Sequence, residues 1–166
     1  TGTYWMKHLV SIDALTKPLG GFWMNPAYRI PVGLFPVVAR FTSQETATNT
    51  PITEIVVNSL ITSHRDGAKI KAGKVTVSGM AWDGGYGISG VQVSSDGGKS
   101  WAAAKLGQDL GKYALRPWSF DLKAKHGKNT VMINATNAIG QSQTGKLLFN
   151  GAGYHNTVMP NITLTA

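Results

Sequence analysis

The chain has 166 residues, of which 42% are hydrophobic and 14% charged, with 20 glycines and a formal net charge of +8. That length allows one domain, or one domain with a long arm, and the absence of cysteine excludes a disulfide framework, a thiolate nucleophile and a Cys-metal site. The 16 Lys and Arg are scattered, and the densest run, KIKAGK at residues 69–74, has no aromatic residue interleaved. This speaks against nucleic acid and leaves a small anion or an acidic partner, while no apolar run reaches membrane-spanning length.

Residues 1–50 are irregular. The start, TGTYWMKHLV, has neither an initiator Met nor a signal-peptide pattern and reads as the inside of a longer protein. YWMKHLVSI reads as one strand, with Trp5, Lys7, Leu9 and Ser11 on one face and Met6, His8, Val10 and Ile12 on the other. After it come Pro18, Gly20, Gly21, Pro26, Pro31, Gly33 and Pro36, which forbid a long helix and favour an extended arm. The arm carries Phe22, Trp23, Tyr28, Phe35 and Phe41, aromatic residues that need a surface to cover them.

From about Pro51 the pattern turns regular. ITEIVVNSLITS, KVTVSGMAW, ISGVQVSS, KSWAAAKL, YALRPWSFDL, NTVMINATN, SQTGKLLFN and NITLTA read as short strands. Turn signals at Asp66-Gly67, Asp83-Gly84-Gly85, His126-Gly127 and Ile139-Gly140 separate them. Strands at this spacing predict an all-β fold, an immunoglobulin-like antiparallel β-sandwich over 51–166 preceded by the extended arm. VQVSSDGGKSW is similar to the Asp-box hairpin of sialidase propellers. A propeller needs one such unit in each of several blades, and this chain holds one.

Three motifs bear on function. In SSDGGKSW, Asp96 accepts from backbone amides ahead of it, Gly97-Gly98 tolerate positive φ, and Trp101 folds back as a lid, so the turn shapes the chain. In GMAWDGGYGISG, free backbone amides can bind an anion, or the stretch is a bulge and hairpin turn at a sheet edge. The lack of GKS or GKT and of a following helix excludes a P-loop. FNGAGYHN reads equally as a functional loop or a plain turn. His8, His64, His126 and His155 lack metal-ligand spacing, and a working carboxylate pair of Asp83 and Asp96 is less favoured than two turn formers.

These pieces in this order resemble the sulfite oxidase family of molybdopterin enzymes. VTVSGMAWDGGYGISGVQVSSDGGKSW resembles the signature of its C-terminal domain, QDLGKYALRPWSF the next strand pair, NATNAIGQSQ its Ala-x-Asx-x-x-Gly-x-x-Gln turn and FNGAGYHN its closing loop, with Phe149 in place of Trp. GTYWMKHLVSI resembles the last strand of the molybdenum domain, and GFWMNPAYRIP the connector found in bacterial sulfite dehydrogenases. The resemblance implies that residues 1–50 are the tail of a molybdopterin-binding domain with a connector arm, and 51–166 a homodimerising domain. It implies an upstream domain holding molybdenum-molybdopterin, oxidation of sulfite to sulfate, cytochrome c as electron acceptor and a periplasmic location. Trp5, Met6 and Lys7 are the implied pterin contacts, where a Lys ammonium meets phosphate by charge-assisted hydrogen bonds. Arg116 is a weaker candidate for facing the anion. The family's Cys ligand to molybdenum is absent, so this chain alone is expected to be catalytically inert, with no catalytic residue and no metal ligand. Two alternatives stay open: a stand-alone immunoglobulin-like binding module, and a molybdopterin oxidoreductase with another substrate.

Overall fold

The structure is a computed structural model that describes residues 7–22, 28–31, 49–147 and 153–166, and among these there is no helix. The chain divides into two compact units, Thr1–Ile55 with Leu148–Asn156, and Val56–Leu147 with Thr157–Ala166.

In the first unit, strands β1 (Arg29–Pro31) and β2 (Asn49–Pro51) pair antiparallel, Arg29 opposite Pro51, and the Ile52 amide donates to the Tyr28 carbonyl at 2.9 Å. Lys7–Ile12, expected to continue a strand, form no strand with any of the described residues and lie exposed. The alternation in YWMKHLVSI describes a surface that two neighbours can cover, and a strand needs a ladder partner to exist. The Trp5 and Met6 end of that stretch lies outside the described residues.

The second unit holds β3 (Asn58–Ile61), β4 (Gly73–Trp82), β5 (Ile88–Ser94), β6 (Ala102–Ala103), β7 (Lys105–Leu106), β8 (Arg116–Ala124), β9 (Lys128–Asn137) and β10 (Asn161–Thr165). One sheet has the order β3-β4-β8-β7 and the other β10-β9-β5-β6, every pairing antiparallel. Lettered in the immunoglobulin manner, the first is the ABED sheet and β5, β9 and β10 the CFG sheet, with β6 a short addition beside C. The expected sandwich is the observed one.

Alternation decides which face is buried. Val77 and Ala81 of β4 and Trp118, Leu122 and Ala124 of β8 face Val91 and Val93 of β5, Val131, Ile133 and Ala135 of β9 and Leu164 of β10. Opposite Trp118 stands Gly79, where an added Cβ would collide with the Leu60 carbonyl oxygen and lie 2.6 Å from Trp118 Cζ2. The missing side chain lets the indole lie across β4 while β3 stays paired.

KSWAAAKL does not form one strand. Ala102–Ala103 pair with β5, Ala104 donates to the Val91 carbonyl at 2.8 Å, and Lys105–Leu106 pair with β8 in the other sheet. The chain changes sheets at Ala104. SQTGKLLFN forms no strand over its described residues either. Its backbone contributes only isolated bridges at Ser142 and Thr144, and the Gln143 side chain takes over the joining. Gln143 Oε1 accepts from Ser59 Oγ at 2.6 Å and from the Ala135 amide at 3.1 Å, and its Nε2 donates to Asn58 Oδ1 at 3.2 Å.

Candidate functional site

One end of the sandwich gathers three connections. Residues 83–87 run from β4 to β5, 107–115 from β7 to β8, and 138–141 leave β9. Because β4 and β5 belong to different sheets, residues 83–87 are a crossover between sheets rather than the expected edge hairpin.

Buried Asp83 organises this end. Its carboxylate accepts from the amides of Gly85 at 3.1 Å, Tyr86 at 3.3 Å and Gly87 at 3.0 Å, and from Asn137 Nδ2 at 3.0 Å. The amides that the sequence offered to an anion are therefore taken by the chain's own anion. Gly85 and Gly87 have φ of +119° and +86°, which bend the backbone around the carboxylate. Asn137 extends the network: its Nδ2 also donates to Gln141 Oε1 at 2.8 Å, its Oδ1 accepts from the Gln141 amide at 2.9 Å, and Ala138 donates to the Gly87 carbonyl at 2.8 Å. Strand β5 starts with a bulge at Ile88–Gly90, bridged by Ser89 Oγ donating to the carbonyls of Thr136 at 3.1 Å and Asn137 at 2.8 Å.

Residues 107–115 lie against this frame. An added Cβ at Gly85 would run into the Tyr113 ring, and one at Gly87 would meet Lys112 Cα at 3.6 Å. The Lys112 ammonium sits 5.1 Å from the Tyr113 ring centroid. Asp109 Oδ2 lies 2.8 Å from Arg116 Nη1. This is a charge contact without hydrogen-bond alignment, and it ties the loop to the first residue of β8. Arg116 points to the inner side of β8, as Trp118 does, with a side chain only 17% exposed. Its Nε and the Trp118 Nε1 are buried without an acceptor among the described residues.

The SSDGGKSW turn lies at the far end of β5. Asp96 accepts from Ser100 Oγ at 2.6 Å, from the amides of Ser100 at 2.9 Å and Lys99 at 3.0 Å, and from Ser94 Oγ at 2.8 Å. The Ser100 hydroxyl and amide, joined by Ser94, hold its carboxyl well below the ordinary range, although the group is exposed. Trp101 Nε1 donates to the Gly98 carbonyl at 3.2 Å, and its ring covers Gly98 together with Met132, the expected lid. Asp83 and Asp96 sit at opposite ends of β5 and form no pair.

Of the pterin contacts that the resemblance implies, Trp5 and Met6 lie outside the described residues and Lys7 is exposed beside His8, whose φ is +54°. No three His, Asp or Glu gather into a metal-binding cluster among the described residues, and the chain has no Cys. In the closing loop, the Tyr28 and Tyr154 rings stand 5.5 Å apart between centroids. Burial pushes the His155 imidazole down, opposed by a backbone hydrogen bond at Glu54. Residue type alone does not mark Asn137, Gln141, Gln143 or Asp109. For Asn137 and Gln143 the signal is spacing, since the Ala-x-Asx-x-x-Gly-x-x-Gln turn contains both, and Gln141 and Asp109 have no such signal.

Comparison with known proteins agrees with this architecture. Residues 49–165 match the family of the Mo-co oxidoreductase dimerisation domain. The sulfite oxidase of Arabidopsis thaliana is 34% identical over 156 residues, which cover 93% of this chain and 37% of that protein. The mitochondrial sulfite oxidase of Homo sapiens is 37% identical over 87 residues, 49% of this chain and 16% of that protein. Among solved structures, the sulfane dehydrogenase SoxCD from Paracoccus pantotrophus matches with a TM-score of 0.60 at 25% identity, over 67% of this chain and 30% of that one. This chain thus spans well under half the length of these relatives. With an immunoglobulin-type sandwich, its Asp83 loop and its Asn137 turn all inside the matched range, the chain belongs to the Mo-co oxidoreductase dimerisation domain family.

Proposed function

We propose that residues 51–166 are the self-association module of a molybdopterin-dependent sulfite dehydrogenase or oxidase, and that residues 1–50 are the tail of its cofactor domain with a connector. The single observation that carries this is the match of residues 49–165 to a family described by its dimerisation role. The likeness to sulfite oxidase along 93% of the chain supports the sulfite assignment. In this reading an upstream domain holds molybdenum-molybdopterin, and two copies pair through the sandwich. Electrons from sulfite pass to cytochrome c in the periplasm. Trp5, Met6 and Lys7 contribute to holding the pterin phosphate, with the Lys7 ammonium as the charged contact, and Arg116 is a weaker candidate for facing the substrate anion.

A second reading has one observation behind it: the SoxCD likeness favours a sulfane sulfur substrate in the same family. Both readings are tested on the full-length protein that carries this chain. Molybdenum content per polypeptide and cytochrome c reduction are measured with sulfite and with a sulfane substrate. One molybdenum per chain with sulfite-dependent reduction supports the first reading. Activity on the sulfane alone moves the assignment to the second, and a protein that retains no molybdenum overturns both.

A further inference from the structure

One end of the sandwich gathers most of the chain's positive charge. Strand β4 starts there, β8 ends and β9 starts, and Lys69, Lys71, Lys74, Lys123, Lys125 and Lys128 are all exposed. The pairings Lys74 with Lys123, Thr165 with Lys128 and Lys69 with Thr165 bring them together. Against these six lysines stands Asp121, which Lys74 Nζ meets at 2.9 Å. Arg65 cancels Asp66 and Lys99 cancels Asp96, so six lysines less Asp121 leave this end with a side-chain charge of +5 out of the chain's +8. Lys74 and Lys123 stand directly opposite each other on the outer face of β4 and β8, an arrangement of like charges that costs stability. The frame beneath them is fixed. Asn129 Oδ1 accepts from the Lys125 amide at 2.8 Å, and its Nδ2 donates to the carbonyls of Lys125 at 2.8 Å and Gly127 at 3.1 Å. Gly127 and Ala166 exchange two backbone hydrogen bonds, at 2.8 and 3.0 Å.

We propose that this lysine end docks on a bilayer surface of anionic phospholipid headgroups. Three observations choose that occupant. All six cations of the cluster are lysines. An ammonium is a hydrated point charge and lacks the planar fork with which Arg grips one phosphate or carboxylate. No large hydrophobic side chain is exposed within residues 65–74, 121–130 or 161–166, so the aromatic anchors that dominate protein–protein contacts are missing. The lysines are also spread over both sheets, whose planes lie about 10 Å apart, so they do not close around one small anion. Anionic headgroups that diffuse within a bilayer can gather under each ammonium separately, without a side chain entering the acyl region. Each lysine near such a surface strengthens binding by about fivefold, and the fixed hairpin at residues 125–128 leaves only the lysine stems to be ordered. A surface of this kind accounts for the tolerated repulsion between Lys74 and Lys123, because the headgroups supply the countercharge that Asp121 alone does not.

The test is co-sedimentation of the full 166-residue chain with vesicles of equal parts phosphatidylglycerol and phosphatidylcholine, and with vesicles of phosphatidylcholine alone. Three proteins are compared: wild type, Lys71→Gln with Lys125→Gln, and Lys112→Glu. The two variants carry the same net charge, two units below wild type, and only the first removes it from the cluster. All three positions are exposed, and circular dichroism checks that the fold survives. The wild type is expected to bind the anionic vesicles and not the neutral ones. Its binding should be lost in 1 M salt, where the screening length falls to about 3 Å. The Lys71 and Lys125 variant should bind roughly 30-fold more weakly, and Lys112→Glu should stay near wild type. Equal loss in the two variants overturns the proposal, since net charge and not the cluster would then govern binding. A wild type that ignores both vesicles, or binds both alike, also overturns it. Retention of the wild type on immobilised polyglutamate, without binding to the anionic vesicles, overturns it in favour of an acidic protein partner.

Discussion

The Asp83 carboxylate and the Asn137 carboxamide, 54 positions apart in the chain, meet at 3.0 Å and lock the start of β5 to the end of β9. The same carboxylate serves three amides of its own loop. A buried acceptor removed from four donors costs far more than one exchanged hydrogen bond, because the donors stay dry and unpaired. Asp83→Ala is expected to destabilise the domain by about 2–3 kcal/mol, a fall in Tm of roughly 10 °C or more. Asp83→Asn, which keeps one acceptor oxygen, should fall between the two. Thermal denaturation followed by circular dichroism checks the order.

Gly79 and Trp118 give a second prediction. The Cβ of Gly79→Ala meets the Leu60 carbonyl and the indole of Trp118, so β3 or the ring must move, at a cost of about 1–3 kcal/mol. Gly90→Ala is the control. Nothing lies within 4 Å of its Cβ and its φ is negative, so its effect should stay within about 0.5 kcal/mol. Urea titration of both variants separates them.

Asp96 predicts an acid-resistant turn. Its hydrogen bonds, those of Ser100 first, favour the charged carboxylate and lower its folded-state pKa. A lowered carboxylate contributes stability that is complete above its unfolded value of 3.8 and is lost as pH falls below it toward the folded value. Carbon-detected NMR should find Asp96 still ionised at pH 3.8, and Ser100→Ala should bring its titration back toward that value.

His155 acts in the neutral range. Burial disfavours its imidazolium and lowers the folded pKa below 6.5. The unfolded chain then binds the proton more readily, so stability present above pH 6.5 declines as pH falls through the folded value. Proton NMR of the His155 ring should show a midpoint below 6.5, and a midpoint above it would refute the burial account.

The sandwich was legible because its strands alternate and its turns contain the residues that turns require. Val75, Val77 and Ala81 line one side of KVTVSGMAW, and β4 buries that side. Gly97-Gly98 and Asp96 dictated the hairpin. Other features depend on partners distant in sequence. Nothing in KSWAAAKL marks Ala104 as the residue where the chain changes sheets, because three small residues suit either sheet. SQTGKLLFN looked like a strand because its apolar residues are consecutive, yet Gln143 joins β3 to β9 through its side chain. In GMAWDGGYGISG the free amides and the turn-forming Asp83 are both visible, and what residue type does not show is that this carboxylate, two to four residues ahead, takes the amides of Gly85, Tyr86 and Gly87 itself. Lys7–Ile12, which form no strand among the described residues, show the converse limit, since an alternating pattern records what a segment can pair with and not that it does.

The central claim is that this domain pairs with its own copy, and the mass of the 166-residue chain in solution tests it most directly. Sedimentation equilibrium over a concentration series should show reversible conversion from 17.7 kDa to twice that mass. A mass of 17.7 kDa at every concentration up to the solubility limit would contradict it.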